Sequence, residues 1–223
     1  MRHAPLIRAG GGLLAALLAV GASAESTATE RFDADLASSR VTVEGTSTLH
    51  NWKVQGQSVE GYLSIDEQEF AALWIRSGPS PHALAATVRV DIPVTSLTSS
   101  KRGMDETMYK ALKATMHPTI TYYLKSAKVP TRQAAQADDA VLTIETTGVL
   151  MVAGVERTVN IPMHVRRLSD NRLEISGDVA LRMTDFGIDP PKAMLDMLRT
   201  GDTIHVHWTW VLARNRIDRH EER

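Results

Sequence analysis

From Arg40 to Ala213 the chain alternates apolar and polar residues in steps of two. The alternation runs through "RVTVEG" (40–45), "NWKVQG" (51–56), "EGYLSI" (60–65), "ATVRVDIPVTSL" (86–97) and "PTITYYLKSAKV" (118–129). It resumes, strictly or nearly so, in "AVLTIETTGVLMV" (140–152), "RTVNIPMHVRRL" (157–168), "RLEISGDVALRM" (172–183) and "DTIHVHWTWVLA" (202–213). A period of two places one face of each segment toward a core and the other toward water, which predicts a largely antiparallel all-β domain. A single sheet of eight or nine such strands curls, so closure into a barrel or splitting into a sandwich is expected.

Two stretches break this rhythm. In "SSKRGMDETMYKALKA" (99–114), Met104, Met108 and Leu112 recur at steps of four, which predicts a short amphipathic helix that Ser99 or Ser100 can cap. "PPKAMLDMLRTGD" (190–202) opens on prolines, repeats apolar residues at 194, 197 and 198 and stops at Gly201, which predicts a second helix of about two turns. Both lie between strands and are expected to pack across an end of the barrel. Residues 66–86 read as a short helix followed by a Gly-Pro turn, 130–140 as an exposed hairpin loop, and 215–223 as a solvated charged tail.

The last strand raises the functional question. Ile204, Val206, Trp208, Trp210 and Leu212 share one face, while Thr203, His205, His207 and Thr209 share the other. Two imidazoles on one strand face can begin a zinc or copper site, but a third ligand has to converge from elsewhere, and they lie opposite the apolar face. A metal protein or enzyme using His205 and His207 is therefore an alternative rather than the main reading. No G-x-S-x-G, no H-E-x-x-H and no cysteine nucleophile is present, and Asp185 in "MTDFGI" lacks the surrounding motifs that would make it kinase-like. No cofactor is implied.

The ends and composition narrow the setting. Arg2 and Arg8, an apolar run from Leu13 to Val20, and Ala22-Ser23-Ala24 before Glu25 have the layout of a secretory signal peptide, with cleavage expected after Ala24. Residues 1–24 are thus read as a leader, 25–214 as one domain, and 215–223 as the tail, with the mature protein in the periplasm. There is no cysteine, so an exported chain must rely on its core rather than on disulfides. Net charge is −1 without long basic runs, which argues against a nucleic-acid partner.

The apolar face has two readings. Val41, Val43, Val54, Val88, Val90, Ile92, Ile120, Tyr122, Val159, Ile161, Met163, Val179 and Leu181 share parity with the tryptophan face and, with Trp52, either fill a plain core or line a lumen. Periodicity does not separate the two. A barrel with a tryptophan-filled interior, used as an interaction module, is the corresponding alternative.

The order of three motifs resembles the YceI-like family. "VDIPVTSLTSSKRGMDETMYKALKATMHPTITYYLKSAKV" is similar to the family's strand, helix and Ile-Thr-Tyr strand. "TTGVLMVAGVERTVNIPM" is similar to its hairpin, with Gly148, Leu150, Gly154, Val155, Arg157 and Val159. "SGDVALRMTDFGID" followed by "GDTIHVHWTW" is similar to its turn, with Arg182, Asp185, Phe186, Gly187 and Ile188, and its last strand. The resemblance implies an antiparallel, eight-stranded, lipocalin-like barrel with one or two short helices, holding a polyisoprenoid or other long-chain lipid, such as an isoprenoid quinone. The ligand-binding residues it implies are Val43, Trp52, Val90, Ile92, Ile120, Tyr122, Ile161, Met163, Val179, Leu181, Phe186, Val206, Trp208 and Trp210. Phe186 and Ile188 are expected to plug one end, Arg182 to pair with Asp185, and His50, Asn51, Tyr123 and Arg182 to stand at the mouth. Transient membrane contact and a homodimer are compatible with that reading.

Overall fold

The computed structural model describes residues 28–74, 82–130, 141–193 and 198–215. Its strands are β1 (Thr29–Ala34), β2 (Arg40–Ser47), β3 (Trp52–Gly56), β4 (Glu60–Asp66), β5 (His82–Leu84), β6 (Ala86–Pro93), β7 (Thr119–Val129), β8 (Leu142–Val152), β9 (Val155–Ser169), β10 (Arg172–Arg182), β11 (Lys192–Ala193) and β12 (Leu198–Arg214). Helix α1 (Glu67–Ala72) follows β4 and α2 (Arg102–Ala111) follows β6, with single 3₁₀ turns at Val94–Ser96 and Met183–Phe186. The leader, the loop at 131–140, the tail from 216 and the Gly-Pro turn at 78–79 lie outside the described residues.

The pairing closes the sheet. β1 pairs with β4 and, through Phe32 to Ala34, with the end of β12; β2 pairs with β3 and with the beginning of β12. β1 and β2 therefore act as one stave broken at residues 35–39, and β3 and β4 as one stave broken at 57–59. Read this way, the sheet is an eight-staved up-and-down barrel in which each stave is antiparallel to the next and the last closes on the first. Such closure leaves no long unpaired edge. At the break in the first stave, buried Ser39 replaces the missing ladder: its hydroxyl donates to the Asp35 carbonyl at 2.7 Å and accepts from the Val211 N–H at 3.0 Å. The β8–β9 hairpin turns on Ala153 and Gly154, both in the left-handed region (φ 52° and 83°), the geometry of a two-residue turn matched to strand twist.

The two ends of the barrel differ. At the end where β7 and β9 finish, α1 lies across the opening, with Asp66 capping it through hydrogen bonds from the Gln68 and Glu69 N–H groups. Phe70 of α1 meets Phe32 of β1 at 5.1 Å between ring centroids, and the Arg214 guanidinium sits 5.4 Å from both rings while ion-paired to Glu30 at 3.2 Å. Phe32 and Leu212 are 0% exposed, and Leu173, Leu142 and Ala127 complete this packed half. At the opposite end α2 packs its Met104, Met108 and Leu112 face against the barrel.

The structure departs from the sequence reading at three places. β1 lies in "TERFDA", where the single large apolar residue Phe32 is too little to register as an alternating pattern, yet it is among the most buried side chains. The helix predicted over 190–202 is not formed in its described parts: Lys192 and Ala193 pair antiparallel with Arg199 and Leu198, and the Thr200 N–H donates to the Pro191 carbonyl at 3.1 Å. β12 begins within this region, at Leu198, and pairing Thr200 with Ser47 of β2 satisfies backbone that a helix would otherwise have served. The start of α2 also differs in detail. Ser99 accepts from the Lys101 N–H and donates its own N–H to Asp105, so the helix begins at Arg102 and neither serine is its N-cap.

Replacing Phe32 with Ala is expected to destabilise the protein by about 3–5 kcal/mol, the usual range for an aromatic truncated in a core. Chemical denaturation measures it. A change below about 1 kcal/mol, the range of surface substitutions, would show that the α1 end does not hold the barrel together.

Candidate functional site

Between the packed half and α2 the barrel encloses a cavity of about 520 Å³. That lies within the roughly 300–1,000 Å³ of small-molecule sites. All the side chains that the sequence placed inside a ligand site reach it. Val43 and Trp52 come from the first two staves, Val90 and Ile92 from β6, Ile120 and Tyr122 from β7. Ile161 and Met163 come from β9, Val179 and Leu181 from β10, Phe186 from the turn after it, and Val206, Trp208 and Trp210 from β12. The exposure of these side chains maps the hollow. Tyr122, Ile161 and Trp210 are buried at its inner end, whereas Val43, Val90, Ile92, Val206 and Trp208 point inward and remain partly accessible.

Large aromatic rings would fill a barrel of this size unless they lay along its wall. Glycine makes that arrangement. Gly45 stands opposite Trp52, and Gly177 opposite Trp208, in the strand register. A Cβ at Gly45 would lie 2.2 Å from the Trp52 ring, and one at Gly177 would lie 2.4 Å from the Trp208 ring. Gly148 lies diagonally from Tyr122, which pairs with Leu150, and a Cβ there would lie 2.3 Å from the Tyr122 ring. All three glycines occupy inward positions of their strands, so each ring lies over a bare stretch of neighbouring backbone. The Trp52 indole N–H donates to the Thr46 carbonyl at 3.1 Å, which fixes that ring against the wall.

The inner end is a floor of Tyr122, Met163 and Ile175, which also border a second void of about 50 Å³ toward α1. The Tyr122 hydroxyl donates to Thr146 at 3.3 Å, and the Thr146 hydroxyl donates to the Ile161 carbonyl at 2.7 Å. Burial pushes the Tyr122 hydroxyl above its ordinary pKa, so it stays a neutral donor. The roof is α2: Met104, Met108 and Leu112 line the cavity, as does Ile188 beyond the turn. Their four-residue spacing and the helix's place between strands put this face across a barrel end, as expected; the sequence did not tell that a void lies beneath it. Phe186 and Ile188 are buried in a satellite cluster with Val152, Ala153 and Met183 at this end, where they plug the wall.

The mouth carries the polar groups. Ser47, His50, Lys101, Arg182, Lys192 and Arg199 border it, while Asn51 and Tyr123 do not. Tyr123 instead lies on the outer face beneath Arg89. Arg182 pairs with Asp202 at 2.9 Å rather than with Asp185, a contact hidden from sequence because the intervening segment was read as helix. Hydrogen bonds from the Thr184 N–H and hydroxyl, with Arg182 behind them, hold the Asp202 carboxyl below its usual pKa. Ser47 and His50 meet as a turn, not as nucleophile and base: the Ser47 hydroxyl donates to the His50 carbonyl at 2.8 Å. His205 and His207 are exposed on the outer face of β12. Among the described residues no three His, Cys, Asp or Glu side chains are grouped to hold a metal ion.

The YceI-like domain family matches the chain over residues 32–212. Among solved structures, BcnA of Burkholderia cenocepacia superposes with a TM-score of 0.59 at 14% identity, covering 80% of this chain and 99% of its own. A protein of Saccharophagus degradans described as a polyisoprenoid binding domain superposes with a TM-score of 0.61 at 13% identity, covering 82% of this chain and 98% of its own. At these identities the likeness speaks for the fold. No curated protein sequence matches the chain.

Gly177→Val is expected to push the Trp208 ring off the wall into the lumen, costing about 1–3 kcal/mol of stability as an overpacked core does. Uptake of an apolar reporter dye such as N-phenylnaphthylamine should fall by more than about tenfold, the effect of roughly 1.4 kcal/mol of lost affinity. Wild-type dye uptake by the folded variant would show that glycine does not keep the lumen open.

Proposed function

The chain belongs to the YceI-like family, and from that premise we propose that it is an exported, periplasmic binding protein that sequesters or carries a polyisoprenoid or similar long-chain lipid in its barrel. The observation that carries the proposal is the void itself: a continuous apolar space with its aromatic rings lying along the wall rather than meeting across the middle. Two alternatives lose ground to it. A tryptophan-packed interaction module would have no such space, and a metal centre built on His205 and His207 would sit on the opposite, outer face.

The chemistry suits a tail rather than a reaction. The walls offer Val, Ile, Leu, Met and aromatic side chains, and the polar groups gather at one end. Each methylene moved from water into such a space gains about 0.8 kcal/mol. Against this stand the lost freedom of the two partners and the ordering of a flexible tail. Binding is therefore set by how much of the tail the lumen takes, and it needs no catalytic group. The leader-like residues 1–24 support a site of action outside the cytoplasm, and the lipid-binding description of the Saccharophagus neighbour supports the class of cargo.

Organic extraction of the protein purified from its native compartment, followed by mass spectrometry, is expected to yield a prenyl or other long-chain lipid at close to one per chain. Titration of the emptied protein with a prenyl alcohol should change the emission of Trp52, Trp208 and Trp210, which line the cavity. Val90→Trp, which places an indole in the lumen, should abolish that response while leaving the fold intact by circular dichroism. An empty extract together with a flat titration would refute the carrier reading.

A further inference from the structure

The lumen is stopped at its inner end. Val88, Tyr122, Met163 and Ile175 border both the large cavity and the void of about 50 Å³ beyond it, so these side chains form the partition between the two. Past the smaller void the barrel is closely packed. Phe70 of α1, Leu73 and Leu173 line that void, and Phe32 and Leu212 of the same cluster are 0% exposed.

The partition offers a ligand no free polar group. The Tyr122 hydroxyl donates to Thr146, which borders the smaller void and not the lumen, and the Thr146 hydroxyl donates on to the Ile161 carbonyl. Tyr122 therefore commits its proton to the far side of the partition. The Trp210 indole N–H has no hydrogen-bond partner, but its nitrogen is covered and does not open onto the lumen. Ser47 and His50 stand at the other end, at the mouth. An amphiphile thus enters tail first, because a polar head carried to the partition would lose its water without a replacement hydrogen bond.

Volume then sets length. An apolar cavity of about 150 Å³ holds benzene, which is roughly 25 Å³ per carbon. At that density a lumen of about 520 Å³ holds roughly 20 carbons, or about four isoprene units. We infer that the partition is a length stop, and that the cargo enclosed whole is a prenyl lipid of geranylgeranyl length. The inference rests on the carrier reading above and adds the size of the cargo to it. Each isoprene unit up to that length gains apolar burial, whereas further units stay at the mouth in water and gain none. Tyr122 and Met163 are then the residues that determine length. Removing the Tyr122 ring merges the two voids and makes room for roughly one more isoprene unit, while an indole at position 163 raises the floor.

The test is displacement of bound N-phenylnaphthylamine from the emptied protein by farnesol, geranylgeraniol and geranylfarnesol, delivered from methyl-β-cyclodextrin and corrected for the alcohol that the cyclodextrin retains. Affinity of the wild type is expected to rise by at least about tenfold from farnesol to geranylgeraniol, a fraction of what one more buried isoprene unit supplies before ordering costs. From geranylgeraniol to geranylfarnesol it should change by less than about threefold. Tyr122→Ala should bind geranylfarnesol at least about tenfold tighter than the wild type does, and farnesol no tighter. Met163→Trp should lose at least about tenfold on geranylgeraniol while farnesol stays within about threefold. Circular dichroism checks both folds, and Met163→Trp decides alone if Tyr122→Ala does not fold. A wild-type affinity that climbs about tenfold again at geranylfarnesol, or a folded variant with the wild-type length profile, overturns the stop and leaves the carrier intact. Should none of the alcohols displace the dye, the carrier reading is lost and the length stop with it.

Discussion

An aromatic ring lying over a glycine is the contact on which the lumen depends. A β-barrel of eight staves is narrow enough for ordinary side chains to fill it, as they do in its α1 half. Tryptophan and tyrosine on inward positions would make filling more certain. The inward glycines at 45, 148 and 177 reverse that outcome by letting Trp52, Tyr122 and Trp208 recline across the neighbouring strand. Glycine within a strand gives up side-chain packing and costs conformational entropy. Here part of that cost is offset by the face of a ring, so the wall is covered with apolar surface while the middle stays open.

The remainder of the molecule compensates for the hollow. Without cysteine, the chain cannot clamp itself with disulfides, and half of its interior contributes less dispersion energy than a close-packed core. Stability is therefore concentrated at the other end, where Phe32, Phe70, Leu173 and Leu212 are packed tightly beneath α1. The Arg214 guanidinium between two rings and beside Glu30 adds a charged group that remains paired within this apolar setting. Ser39 shows the same economy on the backbone: one hydroxyl repairs a broken stave so that the seam with β12 stays hydrogen-bonded. A dense base and an empty upper half separate the requirement to stay folded from the requirement to keep a lumen open.

Most of the barrel was legible in the sequence because its strands carry a period of two over long stretches; parity with the tryptophan face picked out inward side chains that line the cavity, Val159 excepted, while Phe186, in a turn, came only from the family resemblance. Whether the interior was solid or hollow was not legible, since both demand the same inward apolar residues. The deciding feature is cross-strand: Gly45 meets Trp52 and Gly177 meets Trp208 only once register is known. β1 escaped because "TERFDA" carries one large apolar residue, whereas α2, set between strands, was expected across a barrel end and stands there. The helix read over 190–202 rested on apolar residues at helical spacing, whereas its described parts, 192–193 and 198–202, are strand, and there pairing to β2 outweighs local propensity. With that segment misread, the mouth residues Lys192 and Arg199 and the Arg182–Asp202 pair were out of reach.

The final strand also has a bearing on how the protein comes into being. β12 holds β10 on one side and both β2 and β1 on the other, so the first and last staves of the chain meet only there. Until residues 198–214 are available, the nascent polypeptide has two raw edges and no enclosed interior. Acquisition of the native shape therefore waits for β12, and contacts this distant in sequence form slowly. A polypeptide that is late to close stays linear until its last strand finds both partners.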